Sequence, residues 1–345
     1  MACQDGSQHR LGENFRPRGF ARRARGARIA GTMRSQDAQS EAVRPGELHE
    51  ALRFLVAGGR RDVAAAIRAE AFERMIERCG GQYWFRLARR AARYEAAALV
   101  VATPGRVGMV FYPPLHEPGI DRAGVARVVR ESADLALAAG VSFVQAMIDP
   151  GQEADMDMLA AAGFQPLAEL VYLRKDLRSW PVGDADLPLS WRNARKFDEA
   201  ELRDVIRATY EQSLDCPGLY GLRELPDVIA GHKATGIFHP RTWWIAEMDG
   251  RPAGCILVNA SSVTPGAMEV VYMGVVASFR GRGVGRAMLR RAARWARRRR
   301  KEVLTVAVDS ENVYAKRLYD GEGFYETDRR LARILRPSAG VGERK

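Results

Sequence analysis

Apolar positions along this chain fall into two rhythms between about residue 47 and residue 335, and the same succession comes round twice. Spacing near 3.6 residues marks helices with one apolar face, whereas short unbroken or alternating apolar runs mark strands. In the first half the pattern predicts helices over 62–79 and 82–93. Strands over 97–102 and 107–112 follow, then a helix over 123–139 and a strand over 141–148. A short helix over 154–162 and a strand near 169–175 complete this half. Trp180-Pro181-Val182-Gly183 and the polar residues after it read as a linker.

The second half is predicted to open with a strand over 187–191 and helices over 198–213 and 224–235. Three strands come next, over 242–248, 252–259 and 268–276, the first two joined by the hairpin signal Asp249-Gly250. A long helix over 284–300, a strand over 303–308, a short helix over 314–322 and a strand pair within 325–335 finish the chain. The last four elements of the two halves share one order, as a duplicated unit would. The expected architecture is α/β: two tandem units, 46–178 and 187–336, each around a mixed central sheet. Residues 1–45 are rich in Arg, Gly, Ser and Gln, show no apolar period and read as a disordered basic tail, with Met33 an alternative start.

Composition agrees with two packed units, since 345 residues exceed one average domain and 47% are hydrophobic. No apolar run approaches the length of a membrane helix, so no membrane partner is expected. Four scattered cysteines, Cys3, Cys79, Cys216 and Cys255, have neither metal-ligand nor disulfide-framework spacing, which fits a cytoplasmic protein. Five dispersed histidines give no support to a metal site.

The net charge of +12 raises the question of nucleic acid, and its distribution answers it. Residues 1–35 carry eight arginines against Asp5 and Glu13, and Arg280–Lys301 carries ten arginines and a lysine with no acid. The rest of the chain is net acidic. The basicity is thus two local features, and nucleic acid is not the expected partner.

One of those features holds the main chemical signal, Arg280-Gly281-Arg282-Gly283-Val284-Gly285, between a predicted strand and the long helix. Glycines there let backbone approach a ligand, and a helix start offers unpaired N–H groups to a diphosphate. Such turns occur in several nucleotide-binding folds. The Rossmann spacing and the P-loop Lys-Ser/Thr are both missing here. A second signal lies downstream in Asn312, Ala315, Leu318 and Tyr319, followed by Gly323-Phe324.

The two signals in this order resemble the GNAT superfamily of N-acetyltransferases. That resemblance implies acetyl-CoA as co-substrate, with Arg280, Gly281, Arg282, Gly283, Val284 and Gly285 forming the pyrophosphate turn. It implies that pantetheine enters between the strands at 268–276 and 303–308 like an added strand, bonded to backbone groups of Met273 and Val275. Asn312 would hold pantetheine or its loop, and Arg286, with Arg290 one turn on, would reach the coenzyme phosphates. Tyr319 matches the general acid that protonates the departing thiolate. Glu269 is the candidate base, sharing a face with Val271, Met273 and Val275 by strand alternation. The Val275 N–H is a candidate oxyanion donor, and Asp215 and Cys216 lie in the loop with which family members shape the acceptor site.

The first half has Pro113-Pro114-Leu115-His116-Glu117-Pro118-Gly119 where the phosphate turn should stand, and two prolines remove donors there. It reads as a degenerate copy. A silent first copy and an active second also resemble the tandem mycothiol synthase family, as does the run from Glu269 to Val275. Ala277-Ser278 departs from that family's Asp-Pro, and the substrate is not carried over. The expected activity is acetyl transfer from acetyl-CoA to a small-molecule primary amine, without metal. The rivals are a protein or peptide acceptor, or a noncatalytic acyl-CoA or nucleic-acid binder. Oligomeric state is not legible.

Overall fold

The computed structural model describes residues 40–60, 62–78, 81–180 and 187–337; most of the basic tail and the predicted linker lie outside the described residues. The first half runs β1 (Ser40–Ala42), α1 (Leu48–Ala57), α2 (Val63–Arg78), β2 (Tyr83–Arg90), β3 (Arg93–Thr103) and β4 (Val107–Phe111). It continues with α3 (Arg122–Ala138), β5 (Phe143–Ile148), α4 (Glu153–Ala161) and β6 (Gln165–Asp176). The second half runs β7 (Leu189–Asn193), α5 (Glu199–Tyr210), α6 (Leu225–Ala234), β8 (Trp243–Met248), β9 (Arg251–Ala260) and β10 (Ala267–Val275). It ends with α7 (Val284–Arg298), β11 (Val303–Asp309), α8 (Val313–Gly321) and β12 (Tyr325–Leu335).

Three expectations need correction. Residues 82–93 form strand and not helix: Tyr83-Trp84-Phe85 favour a pleated surface, and β2 pairs antiparallel with β3 from Tyr83↔Val101 to Arg90↔Arg93. The second helix of this region is α1, which precedes α2 and whose Leu52, Phe54 and Leu55 are buried although residues 48–57 gave no clear sequence signal. Residues 325–335 are one strand and not a pair. In addition, Ser40–Ala42 pairs with β2, so the fold takes in part of the stretch assigned to the tail.

The two halves share a single twelve-stranded sheet, in the order β1-β2-β3-β4-β5-β12-β6-β11-β10-β9-β8-β7. Each half ends on a strand that completes the other. β6 pairs antiparallel with β11, from Leu170↔Asp309 to Asp176↔Val303. β12 pairs with β5, from Leu331↔Ile148 to Leu335↔Val144, and with β6 along most of its length. Burial follows the same exchange. Val171, Leu173, Leu177 and Trp180 from the first half join the core between α7 and the sheet of the second half. Leu335 joins the core under α3. A strand inserted this way has both edges paired, so neither half presents an open edge at the junction.

Helix α7 shows how the sequence fixes the site's position. Val284, Ala287, Met288, Leu289, Ala292, Ala293 and Ala296 are buried along one face. The arginines fall on the opposite face, as 3.6-residue periodicity requires. That face anchors the start of α7 against β10.

Candidate active site

Strands β10 and β11 run parallel but are paired only from Ala267↔Val303 to Val270↔Val306. Past that point the register of β10 against β9 shifts between Val270 and Tyr272, and the two parallel strands part. The cavity left between them is lined by Tyr272, Met273, Val308, Asn312, Tyr319 and Asp215, among others. On this side Met273 and Val275 have no ladder partner in β11, so an extended ligand can add there as a strand would.

The shift has a second effect. Met273 and Val275 pack with Met268 and Val270 on the α7 side, whereas Val271 and Tyr272 pack on the α5 side. Simple alternation therefore fails across it, and Glu269 does not share a face with Met273 and Val275 as predicted. Glu269 lies opposite Thr305, where β10 and β11 are still paired, and lines neither cavity of the site.

From Val275 the chain passes through the 3-10 turn Ala277–Phe279 into the glycine-rich segment. Gly281 (φ 74°) and Gly283 (φ 81°) take left-handed backbone, which a residue with Cβ adopts at a cost. Gly283 is the N-cap of α7 and supplies no side-chain cap. The first N–H groups of the helix thus lack intrahelical partners and sit at the positive end of its dipole. Val284 is buried beneath them. At Gly285 an added Cβ would lie 3.2 Å from Leu318 Cδ2, so glycine there permits close approach of α8.

The arginines around this turn take different parts. The Arg280 guanidinium donates to the carbonyls of Val275 (3.1 Å), Thr209 (3.0 Å), Glu211 (2.6 Å) and Gln212 (3.0 Å). It ties the end of α5 to the end of β10, a use other than the direct phosphate contact predicted for it. Arg282 stacks over Phe279 at 5.4 Å and stands 3.7 Å from Asp249. Arg286 meets Glu322 at 2.9 Å, and Arg290 meets the same carboxylate.

Tyr319 is 4% exposed and its ring lies 5.4 Å from that of Phe324. Burial, and secondarily the charge of Asp215, push its phenol well above the ordinary range. Asn312 is the N-cap of α8, its Oδ1 accepting from the Ala315 N–H at 3.2 Å. It borders the cavity at the same time.

A second cavity opens on the α5–α6 side, lined by Tyr210, Asp215, Tyr220, Arg223, His232 and Tyr272, among others. Asp215 and Tyr272 border both cavities and so mark where they meet. The loop carrying Asp215 is held in several ways. Cys216 adopts left-handed backbone (φ 47°), and its N–H donates to Asp309 Oδ2 at 3.2 Å. Asp309 is itself buried, which pushes its carboxyl upward. The Tyr220 hydroxyl donates to the Asp215 carbonyl at 3.0 Å, and Tyr210 stacks on Tyr220 at 4.7 Å. Thr209 gives its hydroxyl proton to the Ile206 carbonyl, so the 2.5 Å contact with Tyr272 is a donation from the tyrosine.

The first half packs against the loop and helix that line this cavity. Arg223 donates to the Gly105 carbonyl in the β3–β4 turn at 3.2 Å, and Arg106 stands 3.8 Å from Asp227. Leu219 and Leu222 pack on Val107, Phe143 and Ile334. Sequence reading missed Asp309, Glu322, His232 and Arg223, which are single polar residues without a spacing pattern.

Residues 206–324 match the model of the acetyltransferase (GNAT) family. The mycothiol acetyltransferase of Frankia casuarinae is 28% identical over 276 residues, covering 71% of this chain and 78% of that protein. The mycothiol acetyltransferase of Tsukamurella paurometabola is 26% identical over 253 residues, covering 68% and 83%. The crystal structure of a GCN5-related N-acetyltransferase from Sphaerobacter thermophilus superposes with a TM-score of 0.58 at 17% identity. It covers 86% of this chain and 95% of its own, and shares the fold.

Proposed function

We propose a specific reaction for this chain, which belongs to the GNAT superfamily and is an N-acetyltransferase: acetyl passes from acetyl-CoA directly to the primary amine of a small molecule. The parting of β10 and β11 beyond Val270 and Val306 carries the reading, because it makes a cavity bordered by Tyr319 next to an uncapped helix start. Diphosphate would lie on the amides of Gly281 to Arg286, with Arg286 beside it, and the pantetheine arm along Met273 and Val275. Arg280 would act by positioning this turn.

In the transfer, the amine nitrogen bonds to the thioester carbon, the C–S bond breaks and the thiolate takes a proton from Tyr319, while the proton shed by the new amide nitrogen returns to the tyrosinate. A buried phenol stays protonated at working pH. Burial makes both the phenolate and the departing thiolate more basic, so transfer to sulfur is completed by the proton that the amide nitrogen gives up. Asp215, at the junction of the cavities, is the carboxylate we assign to holding the acceptor ammonium and passing its proton out through the cleft. Glu269 has less geometric support. The Val275 N–H remains the proposed oxyanion donor.

A small acceptor is favoured over a peptide because the first half, through Gly105, Arg106 and Phe143, backs the loop and helix that line the cleft. Asp215 and the half-buried cation Arg223 face it together, unlike an open acidic groove. Thiol release from acetyl-CoA across a library of small amines and basic peptides tests the reading. Release with peptides alone would replace it by the peptide alternative, and coenzyme binding without any release would reduce the protein to an acyl-CoA binder.

A further inference from the structure

The acceptor cleft contains a polar group for which the described residues supply no partner. His232 is 1% exposed, and neither Nδ1 nor Nε2 finds a hydrogen-bond partner among the described residues. The residue itself is firmly held, since its carbonyl accepts from Asn259 Nδ2 at 2.7 Å and its ring lies 5.3 Å from that of Tyr272. His232 is one of the residues that line the cleft. Buried polar side chains are nearly always satisfied, so an unsatisfied one at a cavity wall points to an occupant of that cavity.

The surroundings restrict what the occupant can be. Burial and the neighbouring Arg223 guanidinium keep the imidazole neutral, and the other titratable groups on the cleft wall are Asp215, Tyr210, Tyr220, Tyr272 and Cys216. A neutral imidazole offers one donor and one acceptor nitrogen. A carboxylate can answer only the donor. An ammonium can answer only the acceptor, and it is repelled by Arg223. A hydroxyl group can answer either nitrogen and carries no charge. We propose that His232 is a specificity-determining residue of the acceptor cleft, hydrogen-bonding a hydroxyl group of the acceptor while the reacting amine lies toward Asp215 and the coenzyme gap. The acceptor class is a hydroxylated monoamine. This rests on the transfer reaction proposed above.

The test uses the full chain with acetyl-CoA and primary amines in matched pairs, tyramine with phenethylamine and 4-amino-1-butanol with butylamine, plus the dication putrescine. The native enzyme should favour the hydroxylated member by at least about ten-fold in kcat/KM, because a site built for a hydroxyl discriminates strongly against its absence. Putrescine should be the poorest acceptor. In His232→Phe the ratio should fall to about one while the acetyl-CoA-induced rise in Tm persists. His232→Gln, whose amide again donates and accepts, should restore part of the ratio. In the native protein, the ¹⁵N imidazole resonances of His232 should shift with tyramine and hold still with phenethylamine, a readout that does not depend on any variant folding. A native enzyme without preference, a preference that survives His232→Phe, or equal shifts with the two amines overturns the proposal alone. Absence of thiol release with every amine overturns the transfer reading and this inference together.

Discussion

Arg290 meets Glu322 through two hydrogen bonds of 3.0 Å each, Nε to one carboxylate oxygen and Nη2 to the other. The Glu322 side chain is 1% exposed, and Arg286 bonds to it as well. The pair fastens α7, just after its ligand-facing start, to the end of α8, just after Tyr319. Two GNAT signals far apart in the chain are thereby locked into one geometry. The two partners are not equivalent. Removing Arg290 leaves a buried carboxylate with one partner lost, whereas removing the Glu322 charge frees arginines that can turn to water. Arg290→Met should therefore cost about 2 kcal/mol of stability and Glu322→Gln less, measured by denaturant unfolding. The reverse order would show that Glu322 is not the buried member of the pair.

Gly283 occupies the turn at φ 81°, and an added Cβ would lie 3.3 Å from Leu187 Cδ1. A long side chain at this N-cap position would stand beside the free amides of the helix start. Acetyl-CoA should raise the melting temperature of the native chain by binding the folded state. Gly283→Arg should abolish that rise and lower the intrinsic Tm by a few degrees at most, since backbone strain there costs about 1 kcal/mol. A ligand-induced rise of native size in the variant would move the diphosphate elsewhere.

Tyr319 borders the gap and its ring packs on Phe324, so the hydroxyl can be removed while packing is kept. Tyr319→Phe should lower turnover by one or more orders of magnitude, with coenzyme affinity retained. Single-turnover thiol release and acetyl-CoA titration separate the two quantities. Unimpaired release would take Tyr319 out of the chemistry and leave it a wall residue.

How much of this was legible in the sequence depended on whether the information was local. The turn from Arg280 to Gly285 and the segment from Asn312 to Phe324 were readable because each is a contiguous run whose residue types follow from one backbone task. The face of Glu269 was not, because alternation assumes an unbroken pleat and β10 shifts register between Val270 and Tyr272. Arg280 was readable as important but not in its partners, since three of its four carbonyl contacts come from about seventy residues earlier in the chain. The exchange of β6 and β12 leaves no trace in periodicity, because an amphipathic strand has the same pattern whichever sheet receives it. His232 looks like any polar residue of a helix until burial takes away its partners.

That burial makes a pH prediction with a definite sign. The His232 pKa is depressed in the folded state, chiefly by desolvation, whereas in the unfolded chain it returns to about 6.5. Below that value the unfolded state binds a proton that the folded state refuses. The stability contribution is thus complete above about pH 6.5 and is lost as pH falls, at about 1.4 kcal/mol per pH unit from this one group. His232→Phe should flatten the slope of stability against pH between about 6.5 and 5 relative to the native chain. Parallel slopes would show that the imidazole protonates freely in the folded protein.

The reciprocal placement of β6 and β12 predicts how the molecule tolerates being divided. A fragment ending at residue 180 has β5 without the strand that covers it, and its own β6 has neither β11 nor β12 to pair with. A fragment starting at residue 187 lacks β6, and with it Val171, Leu173, Leu177 and Trp180 from the core beneath α7. Each piece therefore exposes apolar surface and three newly unpaired strand edges, the features that drive aggregation. Expressed alone, neither fragment should give a cooperative unfolding transition. Expressed together, they should associate through the β6–β12 pairing and regain the acetyl-CoA-induced rise in Tm. A second-half fragment that folds and binds acetyl-CoA by itself would mean that β12 can turn back to fill the place of β6. The exchange would then be one of two available pairings and not a condition of the fold.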